Sequence, residues 1–455
     1  MRISTSMIFD AGVNSINQQS ADLLKLQQQI ASGRKMLTPA DDPVAAAQAL
    51  VVTQSKDITA QYAANQATAN EALNLSDSNM QSVTDILNRV RQLAVQAGNA
   101  TLTNSDRESI GHELRSNFDQ LLALANSTDG TGQYLYSGFR GTTKPFAGAV
   151  ANAQTAASVV TYSGDGGQRL AQVSASRQLA ISDPGSQIFQ NVTTGNGTFV
   201  TAFNAANTGT GIVDAGNVTN PAAWNSVANK DISVKFYVDN TQTPSVTYYD
   251  LIDTTANVSL LTGTTPAVPT FPAVTPPAGL RVYTDGQSIA VNNLWAPTPP
   301  ATTPPAISPS DYGVQVTITG SPASGDSFSI APSTNQSMFT TLSNLINAVE
   351  NPQTSTAAGV AALANNIGFA LTNIDQATNN VLDVRSEIGA RQNEVTALGT
   401  ANSSQSLQYQ QTLSNLQDLD YNKAVSDLAQ KQIGLTAAQK SFQTIAQMSL
   451  FTYLP

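Results

Sequence analysis

Apolar residues recur every seven positions at both ends of the chain. Near the N-terminus the series is Phe9, Ile16, Leu23, Ile30 and Leu37. Near the C-terminus it is Tyr421, Leu428, Leu435 and Phe442, with Val425 and Ile445 widening the stripe. Sevenfold spacing gives one narrow apolar seam along a helix, and such a seam needs a partner helix. The two ends are therefore expected to pair, with each other or with other copies. The stretch Leu407 to Leu450 contains no Pro and only Gly434, and reads as helix, with Gly399 marking the break before it.

Between the seams the periodicity changes twice. Gly33 is placed to end the first helix, and Asp42-Pro43 to start the next: Asp caps free backbone N–H groups and Pro suits the first turn. That second helix is predicted from Pro43 to about Ala97, carrying Leu50, Ile58, Tyr62, Leu73, Met80, Val83, Leu87 and Val90, and ending at Gly98-Asn99. Ser105 with Glu108 reads as a capping box for a third helix, with Ile110, Leu114, Phe118, Leu121 and Ala125 at 3.6-residue spacing. From about 147 to 334 the pattern alternates in short runs such as DISVKFYVD and YGVQVTITG, which is the period of strands. Asp285-Gly286 between two such runs signals a hairpin, and two Pro-rich stretches read as loops. Helix returns near Asn335, first as Met338, Phe339, Leu342, Leu345, Ile346 and Val349, then as a third sevenfold series, Ile367, Ile374, Val381, Ile388 and Val395. The fold class expected is α+β multidomain. Long terminal helices form an antiparallel coiled-coil or helical-bundle core, and a strand-rich outer domain is inserted. The segments are 1–42 with 402–455, then 43–146 with 335–401, and 147–334.

Composition narrows the function classes. Of the 455 residues, 11% are charged, against about a quarter in an average soluble domain. Ala, Ser, Thr, Asn and Gln take their place, a surface suited to repeated close contact between subunits. The formal net charge of −10 argues against a nucleic-acid binder. There is no cysteine, hence no disulfide framework or thiol nucleophile. The beginning, MRISTSMIFDAGVNSI, lacks the apolar core of a cleaved secretory signal, and no stretch approaches the ~20 apolar residues of a membrane span. His112 is the one histidine. With no second histidine an HExxH zinc site is impossible, and its place among Gly111, Glu113 and Arg115 on a helix reads as a solvated face. No enzyme, cofactor or metal is expected.

Several stretches together resemble one family. LQQQIASGRKMLTPADDPVAAAQA (26–49) is similar to the N-terminal signature of the flagellin-like axial proteins of the bacterial flagellum, in the form TPADDPVAA seen in their hook–filament junction members; flagellins typically read AKDDAAG there. LNRVRQLAVQAGNATLTNSDRESIGHEL (87–114), GQYLYSGFRGTTKPF (132–146), RSEIGARQNEV (385–395) and the ending in SLFTYL fit the same family. The resemblance implies an adaptor ring of about a dozen copies between hook-associated protein 1 and flagellin, with flagellin itself as the alternative reading. It implies a coiled-coil tube of terminal helices, an extracellular flagellar location and export through the flagellar type III apparatus without a cleaved signal. It also implies a cytosolic export chaperone on the C-terminal helix, with no nucleic acid and no membrane insertion. Arg89, Arg91, Leu93 and Glu113 are expected at a core-domain interface; Arg89, Leu93 and Glu113 align with the flagellin patch that an animal innate immune receptor recognises. The assembly seam is expected at Phe9, Ile16, Leu23, Ile30, Leu37, Tyr421, Leu428, Leu435, Phe442 and Ile445.

Overall fold

The computed structural model describes residues 5–150, 160–269, 279–292, 294 and 311–447. The two Pro-rich stretches and the SLFTYL ending fall largely or wholly outside them. Seven α-helices are described: α1 (Thr5–Ser32), α2 (Pro43–Ala97), α3 (Asn104–Ala125), α4 (Pro221–Ser226), α5 (Met338–Glu350), α6 (Ala357–Gln417) and α7 (Tyr421–Gln447). The chain divides into two compact units. One comprises 1–68, 172–178 and 394–455; the other comprises 69–171 and 179–393. Helices α2 and α6 contribute to both.

Local chemistry fixes most helix ends. Gly33 follows α1 at φ +70°, a conformation that suits a residue without Cβ. Asp42 accepts the Ala45 amide at 3.0 Å and Pro43 opens α2, as expected. The capping box of α3 is two residues earlier than Ser105/Glu108. Thr103 accepts from the Asp106 amide, and Asp106 accepts from the Thr103 amide at 2.9 Å. A Thr–Asp pair reciprocates as well as Ser–Glu, and it lies closer to the break at Gly98-Asn99. Residues 335–336 form a short strand, and Ser337 then caps α5.

Two expectations are corrected here. Gly399 does not break a helix: α6 runs through it to Gln417, and the chain turns at 418–420. One glycine costs a helix only ~1 kcal/mol, less than flanking turns supply. The true start of α7 is the cap Asp420, whose carboxylate accepts the Lys423 amide at 3.1 Å. The stretch from Leu407 therefore spans two helices. The second correction is Asp285-Gly286, which turns the chain without making a hairpin. The strand before it (Arg281–Val282) pairs with Val246–Asp253, while the strand after it (Ser288–Asn292) pairs with Asp311–Thr319 in another sheet.

The larger unit is built on apolar stripes that meet. On α2, Met80, Val83, Leu87, Val90 and Leu93 are at most 1% exposed, and Leu114, Phe118 and Leu121 of α3 are as deeply buried. Phe339 of α5 sets its ring edge-on to Phe118, 5.6 Å between centroids. All five residues of the third sevenfold series on α6 are buried. By length and composition α6 is apolar enough to cross a membrane, but Ile374, Val381 and Ile388 are covered by protein. Within this unit α2 and α6 run antiparallel, tied by Arg91–Asp375 (2.8 Å) and Arg385–Asp77 (2.9 Å).

The inserted region holds two main sheets, antiparallel throughout. In the first, the strands run Val258–Ser259, Val246–Asp253, Ile232–Asp239, Ser327–Pro332 and Phe199–Phe203, with Arg281–Val282 also on Val246–Asp253. In the second, Asp311–Thr319 is central, flanked by Ser288–Asn292, Ile212–Val213 and Asn217–Val218. Phe199, Trp224, Phe236, Val314 and Phe328 lie in one shared core. Asparagines on α6 hold this region by its backbone. Asn365 accepts the Val213 amide (2.9 Å) and donates to the Gly211 carbonyl (3.0 Å). Asn373 accepts the Gly195 amide at 2.9 Å, and Asn380 donates to the Ile188 carbonyl at 2.8 Å.

Candidate assembly surface

In the smaller unit α1 and α7 pack antiparallel. Tyr421 at the start of α7 meets Gly33 just past the end of α1, Lys431 pairs with Asp22 at 2.7 Å, and Phe442 packs against Phe9 with rings tilted and centroids 4.9 Å apart. Gly12 permits that last contact, since a Cβ there would lie 2.8 Å from the Phe442 ring. The turns at the other end are clasped by backbone: Lys35 donates to the Gln417 carbonyl (2.7 Å), and Leu419 donates to the Gly33 carbonyl (3.0 Å). Asp41 locks the first turn by accepting the Leu37 and Thr38 amides and Lys25. The Lys25 ammonium, then the Thr38 amide, holds its carboxyl down at about 2. The lock is thus fully present above the ordinary value of 3.8 and is lost only as pH falls through about 2.

Ile16, Leu23, Ile30, Leu428, Leu435 and Phe442 are half-buried along this pair. Phe9 and Tyr421 remain 50% and 53% exposed. Ile445 lies on α7, but its side chain is outside the described residues. Leu37 is not on the seam, which corrects the sequence reading: α1 ends at Ser32, so the sevenfold register stops before it. Val425, expected to widen the stripe, is 54% exposed, and Ile433 is 71% exposed.

The sequence reading missed a further row. Val44, Val51 and Ile58 on α2 are seven apart and 68%, 63% and 45% exposed. Their spacing was legible, but periodicity cannot say which face of a helix is covered. Among the described residues of this unit, the buried apolar side chains are only Ala45, Ala49, Val173, Val395 and Ala424. Isolated helix pairs with so little cover are marginal in water. Rows of exposed apolar residues on such a unit mark interaction surface.

The second group is divided. Arg89 and Glu113 form an exposed ion pair, Arg89 Nε donating at 2.7 Å, and Arg91 engages Asp375. The Asp375 carboxylate holds the Arg91 guanidinium above its usual value. Leu93 is 1% exposed and belongs to the helical core, because it continues the stripe of Leu87 and Val90; it is not available to a partner. His112 is exposed on α3. Among the described residues no three His, Asp or Glu side chains cluster as metal ligands.

Residues 3–140 match the bacterial flagellin N-terminal helical region, and residues 371–454 match the bacterial flagellin C-terminal helical region. Both ends of the chain are thus similar to flagellins, and its further likeness is to the hook-associated protein 3 type. It is 35% identical over 193 residues to the flagellar hook-associated protein 3 of Salmonella typhimurium, covering 42% of this chain and 58% of that protein. The chain thus spans less than two thirds of that relative's length. Two crystal structures are similar over more of the fold. The flagellar junction protein FlgL from Legionella pneumophila is 27% identical with a TM-score of 0.66, covering 82% of this chain and 100% of that one. FlgL from Xanthomonas campestris is 27% identical with a TM-score of 0.62, covering 80% and 99%. Helical termini around a strand-rich insertion are the common plan.

Proposed function

We propose that this chain is a structural subunit of the bacterial flagellum, joining the hook-associated protein 1 zone to the flagellin filament. The observation that carries this reading is the smaller unit. Among the described residues its paired α1 and α7 bury no large side chain, yet apolar residues are exposed on α2 and α7. Such a unit gains its stability by association. Copies assemble as a ring of about a dozen, with Ile16, Leu23, Ile30, Leu428, Leu435 and Phe442 completing their burial there. Segments 1–42 and 402–455 line the inner tube. Segments 43–146 and 335–401 surround it, with Arg89, Arg91 and Glu113 at subunit contacts, and 147–334 face outward. The role is mechanical, without catalysis. The subunit reaches the cell exterior through the flagellar type III apparatus, with no cleaved signal, after release from a cytosolic chaperone.

Flagellin is the second reading, favoured by the matches of both termini to flagellin regions. A strain lacking this gene separates the two. Hooks without filaments, with flagellin in the spent medium, support the junction role. Intact hooks with flagellin absent from cells and medium support the second reading. Normal filaments overturn both.

A further inference from the structure

The smaller unit contains a piece of chain that is not helical. Residues 172–178, the tip of the hairpin formed by Leu170–Ser174 and Arg177–Ala180, lie against α2 and α6. Asn65 and Gln66 of α2 donate to the carbonyls of Gln172 (2.8 Å) and Val173 (2.7 Å). Arg177 grips Glu394 of α6 with two bonds, Nη2 donating at 2.8 Å. The guanidinium holds the Glu394 carboxyl below its ordinary value. Val173 is fully buried and Gln66 is 6% exposed.

Here Asn402 of α6 also donates to the Thr59 carbonyl of α2 at 2.9 Å. Beside the tip the two helices leave a groove of about 400 Å³ lined by Ile58, Tyr62, Leu398 and Tyr409. Side chains separated by such an open groove do not make the close packing that normally fixes helix spacing.

We propose that the hairpin tip is a strap. It holds the 55–66 and 398–409 stretches of α2 and α6 together, and this part of the unit opens when the strap lifts. Val173 supplies the apolar plug, Asn65 and Gln66 the backbone grip, and Arg177–Glu394 the far anchor. The anchor joins residues 217 apart in sequence, so the strap closes late and opens early relative to the local helical bonds.

Amide hydrogen exchange on the purified full-length chain tests this, independently of any role in the flagellum. Three variants are compared with the parent: Val173→Ser, Arg177→Glu and the double exchange Arg177→Glu/Glu394→Arg. The expected result is exchange at least about tenfold faster over 55–66 and 398–409 in the two single variants, unchanged protection over 80–93 and 374–388, and recovery in the double exchange. Unchanged protection over 55–66 and 398–409 overturns the strap. Loss of protection everywhere also overturns it, since the tip would then be supporting the whole fold rather than one helix pair.

Discussion

The two units solve the burial problem in opposite ways. The larger one covers phenylalanines, leucines and isoleucines completely: Phe118, Phe146, Phe189 and Phe339 are all fully enclosed. Among its described residues the smaller one encloses nothing larger than valine at apolar positions, and it leaves Phe9, Leu50, Leu407 and Ile433 open to solvent. The two units share the long helices α2 and α6. The difference lies in how many elements meet. In the larger unit α2, α3, α5 and α6 converge with an inserted sheet region, so each stripe is covered on several sides. In the smaller unit α1 and α7 face each other, and their seam side chains stay partly exposed, Phe9 and Tyr421 by about half. The larger unit closes its core within the monomer, while the smaller one leaves its apolar rows exposed.

Three substitutions sharpen this contrast. The largest effect on the isolated chain is expected for Phe339→Ala, which opens a cavity where Phe118, Phe146 and Phe189 meet. A loss of ~3–5 kcal/mol is expected in the main denaturation transition; a loss under ~1 kcal/mol would mean that the aromatic cluster is not what holds the larger unit.

A smaller effect, of opposite sign, is expected at Asp250. This carboxyl is 3% exposed, accepts the Ser259 hydroxyl at 2.6 Å, and has its pKa raised by burial. A raised carboxyl pKa means stability is greatest below the unfolded value of 3.8 and falls as pH rises through the folded value. Asp250→Asn keeps an acceptor and removes the charge. Thermal melts should therefore show the variant more stable at pH 7, by ~1 kcal/mol or less, with the gain shrinking as pH falls toward 3.8. A variant less stable at pH 7 would show that the charge is compensated.

The smallest effect on the isolated chain is expected for Leu435→Asp. This residue lies half-buried in the smaller unit, so the main transition should move by less than ~0.5 kcal/mol. In cells the same change is expected to abolish assembly and swimming. Normal motility in that variant would remove the seam from the proposed function.

The long helices were legible because their signals are local. Gly33, Asp42-Pro43 and Gly98 act within one turn, and α1, α2 and α7 carry their apolar residues at fixed spacing. The errors have equally specific causes. Gly399 was overrated because a glycine weakens a helix without stopping it, whereas Asp420 was overlooked as a cap. Leu37 kept the sevenfold count after the helix had ended. Leu93 resembled a contact residue by alignment with a surface patch, yet the stripe it continues points inward. Asp285-Gly286 had the right chemistry for a tight turn, but the strand before it pairs with Val246–Asp253 upstream and the strand after it with Asp311–Thr319 downstream.

By itself the sequence determined where the long helical stretches lie, that α2 starts at Asp42-Pro43, that a strand-rich region is inserted between helical ends, and which seven-residue series run along the long helices. Those follow from backbone geometry and caps, which need only neighbouring residues. The tertiary structure decided which series would be covered. The series on α6 is buried, the one shared by α1 and α7 is half-buried, and the row on α2 at Val44, Val51 and Ile58 is open. All three have the same spacing. Only the number of elements packed against each helix tells them apart, because burial belongs to pairs of surfaces rather than to a pattern along one chain.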